Sequence, residues 1–304
     1  MMNLRDSIPP RWKPLLRRFA DTSQLLHLKR VERILRQNDL SRGFLTIDQI
    51  PILLSEFEKT VPASDEYSKE KLDIRGNQRA RKIAQLVPFE IGSKTLELGA
   101  GDGMTSAHLI KSHKADAYCI DILDTSDQRA HSAGVKFRIA DAHSLPFSDE
   151  EFSVVFSFAA LEHFEHPDKI LLEAMRVVRP GGYVYLEFGL LFFSPYGLHA
   201  YREFPFSYPQ LLFSFEDLVS FVANKRPQPD WVRRSYLNRY HYNQYRRLFD
   251  SHEGNFRIVF YDESPDFTGL QMIERYPACF KLSELSMKDF VTNAIMVLLQ
   301  KLSV

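Results

Sequence analysis

Lys94-Thr95-Leu96-Glu97-Leu98-Gly99-Ala100-Gly101-Asp102-Gly103 is the most informative run in the chain. It reads as a short buried strand with an acidic residue near its end, followed by three glycines spaced two apart. Glycine has no Cβ, so the chain can turn sharply after the strand and bring its backbone close to a ligand, while the helix that follows offers unpaired N–H groups. Thr105 and Ser106 stand where a side chain is expected to cap that helix. The spacing separates two loops of this design. A dinucleotide loop counted from Gly99 needs its third glycine at position 104, where this chain has Met104; here the third glycine is Gly103.

The residues that follow keep a strand-and-helix rhythm with acidic residues at the strand ends. A helix over 105–112 leads to a second strand over 115–123, with Asp121 near its end, about 20 residues past the loop, where a ribose-binding carboxylate is expected. A third strand over 135–140 delivers Asp141 and Ala142. The fourth, 152–158, is a nearly continuous apolar run of the kind found where both faces of a parallel sheet are covered. It runs into Ala159-Ala160-Leu161-Glu162-His163-Phe164. A helix over 168–178, the turn Arg179-Pro180-Gly181-Gly182 and a fifth strand over 183–189 come next.

The pattern E-x-G-x-G-x-G, Glu97 to Gly103 here, resembles motif I of the class I S-adenosylmethionine-dependent methyltransferases. The resemblance runs from Thr95 to Gly189, about a third of the chain, and includes Asp141-Ala142-His143-Ser144-Leu145-Pro146-Phe147 and the turn at Arg179. It implies a doubly wound α/β fold with a seven-stranded, mostly parallel sheet and S-adenosylmethionine as cofactor. Glu97, Gly99, Ala100, Gly101 and Gly103 are then expected around the amino-acid part of the cofactor, and Asp121 on the ribose diol. Ile122 is expected against one face of adenine, Asp141 and the Ala142 N–H on the adenine edge, and Phe158 in the same cofactor site at the end of the fourth strand.

Beyond the fifth strand the sequence changes character. Residues 190–242 are rich in Phe, Tyr, Pro, His and Arg and leave the carboxyl edge of the sheet, where ligands of open α/β sheets bind. They predict a substrate lid, with a helix over 215–223; the aromatic content argues against disorder. A helix over 242–249 and strands over 256–262 and 293–300 resume the fold as an antiparallel pair, with a second insertion at 264–288. The expected organisation is an N-terminal helical extension, 1–64, and a methyltransferase domain, 65–304, carrying both insertions. The two insertions and part of the N-terminal region are expected to form the substrate pocket.

Composition bounds the remaining choices. Lys plus Arg and Asp plus Glu both number 39, so no overall electrostatic footprint for nucleic acid exists. Cys119 and Cys279 are too few for a disulfide framework and fit a reducing compartment. The start lacks the apolar core of a signal peptide and no apolar run is long enough to span a bilayer, so the expectation is a cytoplasmic protein. Residues 1–40 carry nine basic and four acidic side chains. With Leu25, Leu26, Leu28, Val31, Ile34 and Leu35 at helical intervals, this arm either makes weak peripheral contact with an anionic membrane or packs its apolar side on the domain.

For a methyl transfer, the enzyme mainly aligns a nucleophile with the carbon–sulfur bond and excludes water. A hydroxyl acceptor on a small molecule is the expected substrate, with N- or C-methylation and a non-catalytic cofactor-binding module as the alternatives. An NAD-linked oxidoreductase is disfavoured by Met104. His163, just past the fourth strand, is the expected base; His166, His199 and His241 are weaker candidates. Glu162-His163 also resembles the end of an E-x-x-E-H metal element, but Ala159 stands where the first glutamate belongs, and no metal is expected.

Overall fold

A computed structural model describes residues 22–36, 41–57, 68–225, 227–233, 236–250 and 255–303. Seven strands form one sheet in the order β3-β2-β1-β4-β5-β7-β6: β1 (Lys94–Leu98), β2 (Asp116–Asp121), β3 (Lys136–Ile139), β4 (Phe152–Phe158), β5 (Val178–Gly189), β6 (Phe256–Pro265) and β7 (Thr292–Lys301). The first five run parallel, and β7 lies antiparallel between β5 and β6. Short βα loops and an apolar β4 produce this order, because parallel neighbours need a crossover and both faces must then be covered.

Helices α3 (Lys69–Leu86) and α4 (Met104–His113) cover one face, where Ala80, Ile83 and Leu109 meet Val154, Phe156, Phe158 and Tyr185. Helices α6 (Pro167–Val177) and α9 (Tyr242–Asp250) cover the other, where Ile170, Leu171, Tyr245 and Phe249 meet Leu96, Leu98, Phe152 and Val155. The alternation of strand residues between the two cores is the period-2 pleat at work. A short helix, α5 (Gln128–Ala133), connects β2 and β3.

Two local expectations are corrected. Helix α4 begins at Met104, with Gly103 at its N-cap in the left-handed region (φ 71°) and no side-chain cap from the N-cap residue. The carboxylate of Asp102 accepts from the Met104 N–H at 2.9 Å. Thr105 and Ser106 lie inside the helix and are buried, and the Ser106 hydroxyl donates to Glu97 instead. The turn at Arg179-Pro180-Gly181-Gly182 falls within β5, whose register against β4 shifts between Phe152 and Val154, a bulge that absorbs the extra residues.

Above the carboxyl edge of the sheet sits a cap with its own core. It draws on α1 (Thr22–Leu35), α2 (Gln49–Phe57), the insertion after β5 with α7 (Pro209–Leu212) and α8 (Phe215–Val222), and the insertion after β6 with α10 (Leu270–Arg275) and α11 (Met287–Val291). Val31, Ile50, Leu53, Phe206, Tyr208, Phe213, Trp231, Ile273, Phe280 and Phe290 pack into one buried cluster. The predicted helices over 215–223 and 242–249 appear as α8 and α9. Helix α1 puts Val31 into the cap core with Leu28 and Leu35 against it, while Leu25 and Leu26 stay exposed. Its basic side chains are partly paired, Arg30 with Glu274 at 2.8 Å and Arg36 with Glu32 at 2.6 Å. Arg5, Arg11, Lys13, Arg17 and Arg18 of the basic arm lie outside the described residues. Among the described residues no helix is long and apolar enough to cross a membrane.

Candidate functional site

A cleft of about 520 Å³ opens at the carboxyl ends of β1, β2, β3 and β4. Gly99, Gly101, Asp121, Ile122, Asp141, Ala142 and His163 all line it, so seven of the residues singled out in the sequence meet at one place. Gly99 (φ 64°) and Gly101 (φ 53°) hold the loop in the left-handed region that favours glycine. A Cβ on Gly99 would press into the Ala160 Cβ, whereas Gly101 faces open space. The loop is tied to the second strand: the Gly101 N–H donates to Asp121 Oδ2 at 2.9 Å, and the Ala100 N–H donates to the Ile120 carbonyl at 3.0 Å. Asp121 thus braces the glycine loop while keeping acceptor capacity toward the cleft.

Asp141 lines the cleft and also closes its own turn. Its Oδ1 accepts from the His143 N–H at 2.9 Å and pairs with His143 Nδ1 at 2.6 Å. These bonds to the charged form hold the carboxyl below the ordinary aspartate range. Ile122 is two-thirds exposed and lines the cleft.

Four of the expected cofactor residues stand outside the lining. Glu97 points to the α4 face of the sheet, where its Oε2 accepts from the Ser106 N–H at 3.3 Å and the Ser106 hydroxyl at 2.7 Å. Complete burial pushes its carboxyl up to about 7 against the pull of Ser106 and the Arg79 guanidinium. Ala100 and Gly103 turn their Cα atoms inward, toward the small cluster with Ala107, Cys119, Ala130 and Val135. Phe158 also faces α3, under the guanidinium of Arg79 at 4.9 Å and beside Tyr185 at 5.5 Å. The pleat sends alternate side chains of one strand to opposite faces, so a residue at a strand end can miss the cleft that its neighbour lines. Glu97 and Phe158 are not among the residues lining the cleft.

Sequence reasoning passed over Ala160, Phe164, Glu165 and His143, which also line the cleft, and over a cluster at its inner end. Ala159 turns with φ 50°, and the segment after it carries Glu162 and His163 under the lid. The lid returns His199, itself at φ 61°, so that Glu162, His163 and His199 bring donor atoms within 4.8 Å of one another. The His163 and His199 rings meet edge-on, 5.0 Å between centroids. Burial dominates this cluster. It raises the Glu162 carboxyl to about 8 and lowers both imidazoles, His199 to about 4 with the neighbouring His163 adding to the shift. The three groups are therefore neutral near pH 7. The count of ligands made on Ala159 alone omitted His199, because only the folded lid brings it there.

Residues 96–186 match the family model described as a methyltransferase domain. Over that stretch, about a third of the chain, the protein is similar to the class I, S-adenosylmethionine-dependent methyltransferases. The 27-O-demethylrifamycin SV methyltransferase of Amycolatopsis mediterranei is 31% identical over 130 residues, 40% of this chain and 48% of that protein. The phthiotriol/phenolphthiotriol dimycocerosates methyltransferase 1 of Mycobacterium ulcerans is 30% identical over 156 residues, 48% of this chain and 55% of that one. The fatty-acid O-methyltransferase of Mycolicibacterium smegmatis is 27% identical over 174 residues, 55% and 59% respectively. The chain spans about half the length of the curated relatives it matches. The cleft of the methyltransferase domain fits the class's cofactor: the open space over Gly101 admits a ligand that a Cβ would obstruct, and Asp121 and Asp141 supply acceptors on adjacent strand tips. Both matched segment and cleft leave the cap unaccounted for, since the family model ends before the lid.

Proposed function

We propose that the protein transfers a methyl group from S-adenosylmethionine to a hydroxyl oxygen of a small, largely apolar molecule held between the sheet and the cap. The observation that carries this reading is the position of His163, which lines the cofactor cleft on one side and adjoins the lid's His199 on the other. The His163 Nδ1–H donates to the Tyr236 carbonyl at 2.7 Å, because a carbonyl can only accept; Nε2 is left with its lone pair. Burial keeps that ring neutral, which suits a group that must receive or hold a proton near neutrality. Asp121 and Asp141 serve the ribose and adenine edges, and Ile122 the adenine face.

The acceptor's chemistry is read from its surroundings and from the relatives. One relative is named a fatty-acid O-methyltransferase, and another is named for a 27-O-demethyl substrate. The balanced net charge offers no attraction to nucleic acid. Val31, Leu28 and Leu35 of α1 pack into or against the cap core, which supports a packed arm over a membrane-bound one. Buried, free Cys119 and Cys279 suit the reducing cytoplasm.

The test is incubation with methyl-labelled cofactor and fractionated host lipids and secondary metabolites, with the labelled atom located by mass spectrometry and NMR. Label on oxygen is expected; label on nitrogen or carbon replaces the acceptor assignment, and tight cofactor binding with no labelled product favours a binding module. His163→Ala is expected to cut turnover by about 10²–10⁴-fold at nearly unchanged cofactor affinity, measured by steady-state kinetics beside calorimetry.

A further inference from the structure

We propose that Glu162, His163 and His199 form a binding site for one divalent transition-metal ion of the nitrogen-favouring class, such as Zn²⁺ or Co²⁺. Their donor atoms already lie within 4.8 Å of one another. Zinc ligands at about 2.0–2.2 Å from the ion stand about 3.5 Å apart in a tetrahedral array, so binding draws the three inward by at most about 1.5 Å, within reach of side-chain rotation.

The two imidazoles are oriented as ligands are. His163 spends its Nδ1–H on the Tyr236 carbonyl at 2.7 Å, and His199 spends its Nε2–H on the Leu190 carbonyl at 2.9 Å. Each backbone oxygen fixes the tautomer and leaves the opposite ring nitrogen with a lone pair and no proton. A backbone carbonyl on the far nitrogen is the usual outer partner of a metal-bound histidine. The lid holds His199 at φ 61°, an uncommon conformation for a residue with a Cβ, on the turn in which the Gly197 and His199 N–H groups donate to Ser194 and Tyr196.

An independent observation comes from the carboxylate. Glu162 is 2% exposed; its Oε1 accepts from the Gly189 N–H at 3.2 Å, but its Oε2 is buried with no hydrogen-bond partner among the described residues. Leaving a buried carboxyl oxygen unmatched costs about 1–3 kcal/mol or more, and a cation at the cluster would satisfy it. Binding displaces the proton from Glu162, and the resulting two imidazoles and one carboxylate suit zinc, cobalt, nickel or ferrous iron; an all-oxygen preference makes Mg²⁺ the wrong ion. Three protein ligands leave at least one coordination position open. A bound ion takes the His163 Nε2 lone pair, so the base role assigned above belongs to the metal-free protein; the ion's use rests on the methyl-transfer reading, but its binding does not.

The experiment is a titration of chelator-stripped full-length protein with Co²⁺, followed by visible absorption, and with Zn²⁺, followed by calorimetry, with neither cofactor nor acceptor present. The expected result is saturation at one equivalent with cobalt bands in the visible. His199→Ala and Glu162→Gln should each weaken the affinity at least tenfold, while His166→Ala, outside the trio, binds as the parent does. No saturable cobalt spectrum in the parent protein, or affinity unchanged in His199→Ala, overturns the site. Circular dichroism of each variant separates ligand loss from unfolding, and the parent titration decides the matter even if a variant fails to fold. Because the titration omits the methyl donor, failure of the metal site and failure of methyl transfer read out separately.

Discussion

In the sheet, β1, β2 and β3 pair in chain order, as do β4 and β5, and most of the core comes from this run of βα units, with α9, β6 and β7 added from beyond the first insertion. The cap joins Val31, Phe213 and Phe280 in one core, from three segments that lie far apart in the chain. The first region carries its instructions locally, in an apolar strand followed by glycines and a helix. The second exists only when distant aromatic residues have met, so it depends on loop closures that the sheet must arrange first. The candidate site lies where the two regions meet. The cofactor cleft belongs to the local part and His199 to the distant one, which predicts that the two can be damaged separately.

Phe280→Ala should test that division most forcefully. The ring is buried against Tyr208 at 4.9 Å and Phe290 at 5.4 Å, so its removal is expected to cost about 3–5 kcal/mol in chemical denaturation while cofactor affinity stays near the parent value. A parallel loss of cofactor affinity would show that cap and sheet act as one unit.

Glu97→Gln probes the sheet side through pH. The buried carboxyl sits at about 7 in the fold against 4.5 when free, so the folded state holds a proton that the unfolded state has released. Stability from this group is full below about pH 4.5, is lost as pH rises toward 7, and changes no further above it. The glutamine variant is expected to gain on the order of 3 kcal/mol relative to the parent above pH 7, and that gain should vanish toward pH 4.5. Denaturation midpoints across that range check it.

Asp121→Ala should weaken cofactor binding by about 1–3 kcal/mol, read by calorimetry, through loss of charge-assisted hydrogen bonds and of the brace on Gly101. The cap should melt unchanged. Arg30→Ala removes a mostly exposed partner of Glu274 and is expected to cost under about 1 kcal/mol, since water and salt screen such pairs. A larger loss would mean that α1 is fastened to α10 by more than its apolar side.

The reading of the sequence tracks this same contrast. Strand β4 was legible residue for residue, because a continuous apolar run bounded by turns has few other readings. The glycine loop with Asp121 and Asp141 was legible because spacing along the chain converts directly into position along a sheet edge. Strand β3 came out shorter than the pattern suggested; it is the edge strand, half solvated, with little apolar signal at its ends. Side chains one residue apart were harder. Glu97 and Phe158 belong to the right strands but to the α3/α4 face, and only the pleat as built assigns the face. The encounter of His199 with Glu162 and His163 left no trace in local pattern, because it depends on how the lid folds back over β4.

The ring of Tyr208 has a further consequence. Its hydroxyl donates to the Phe290 carbonyl at 2.9 Å, and Gly269 lies so close to the ring that any Cβ there would overlap it. One tyrosine of the first insertion thus occupies a slot made by the second, and neither has a complete lining without the other. Deleting either insertion should therefore open a hole in the other, so the two behave as one structural unit.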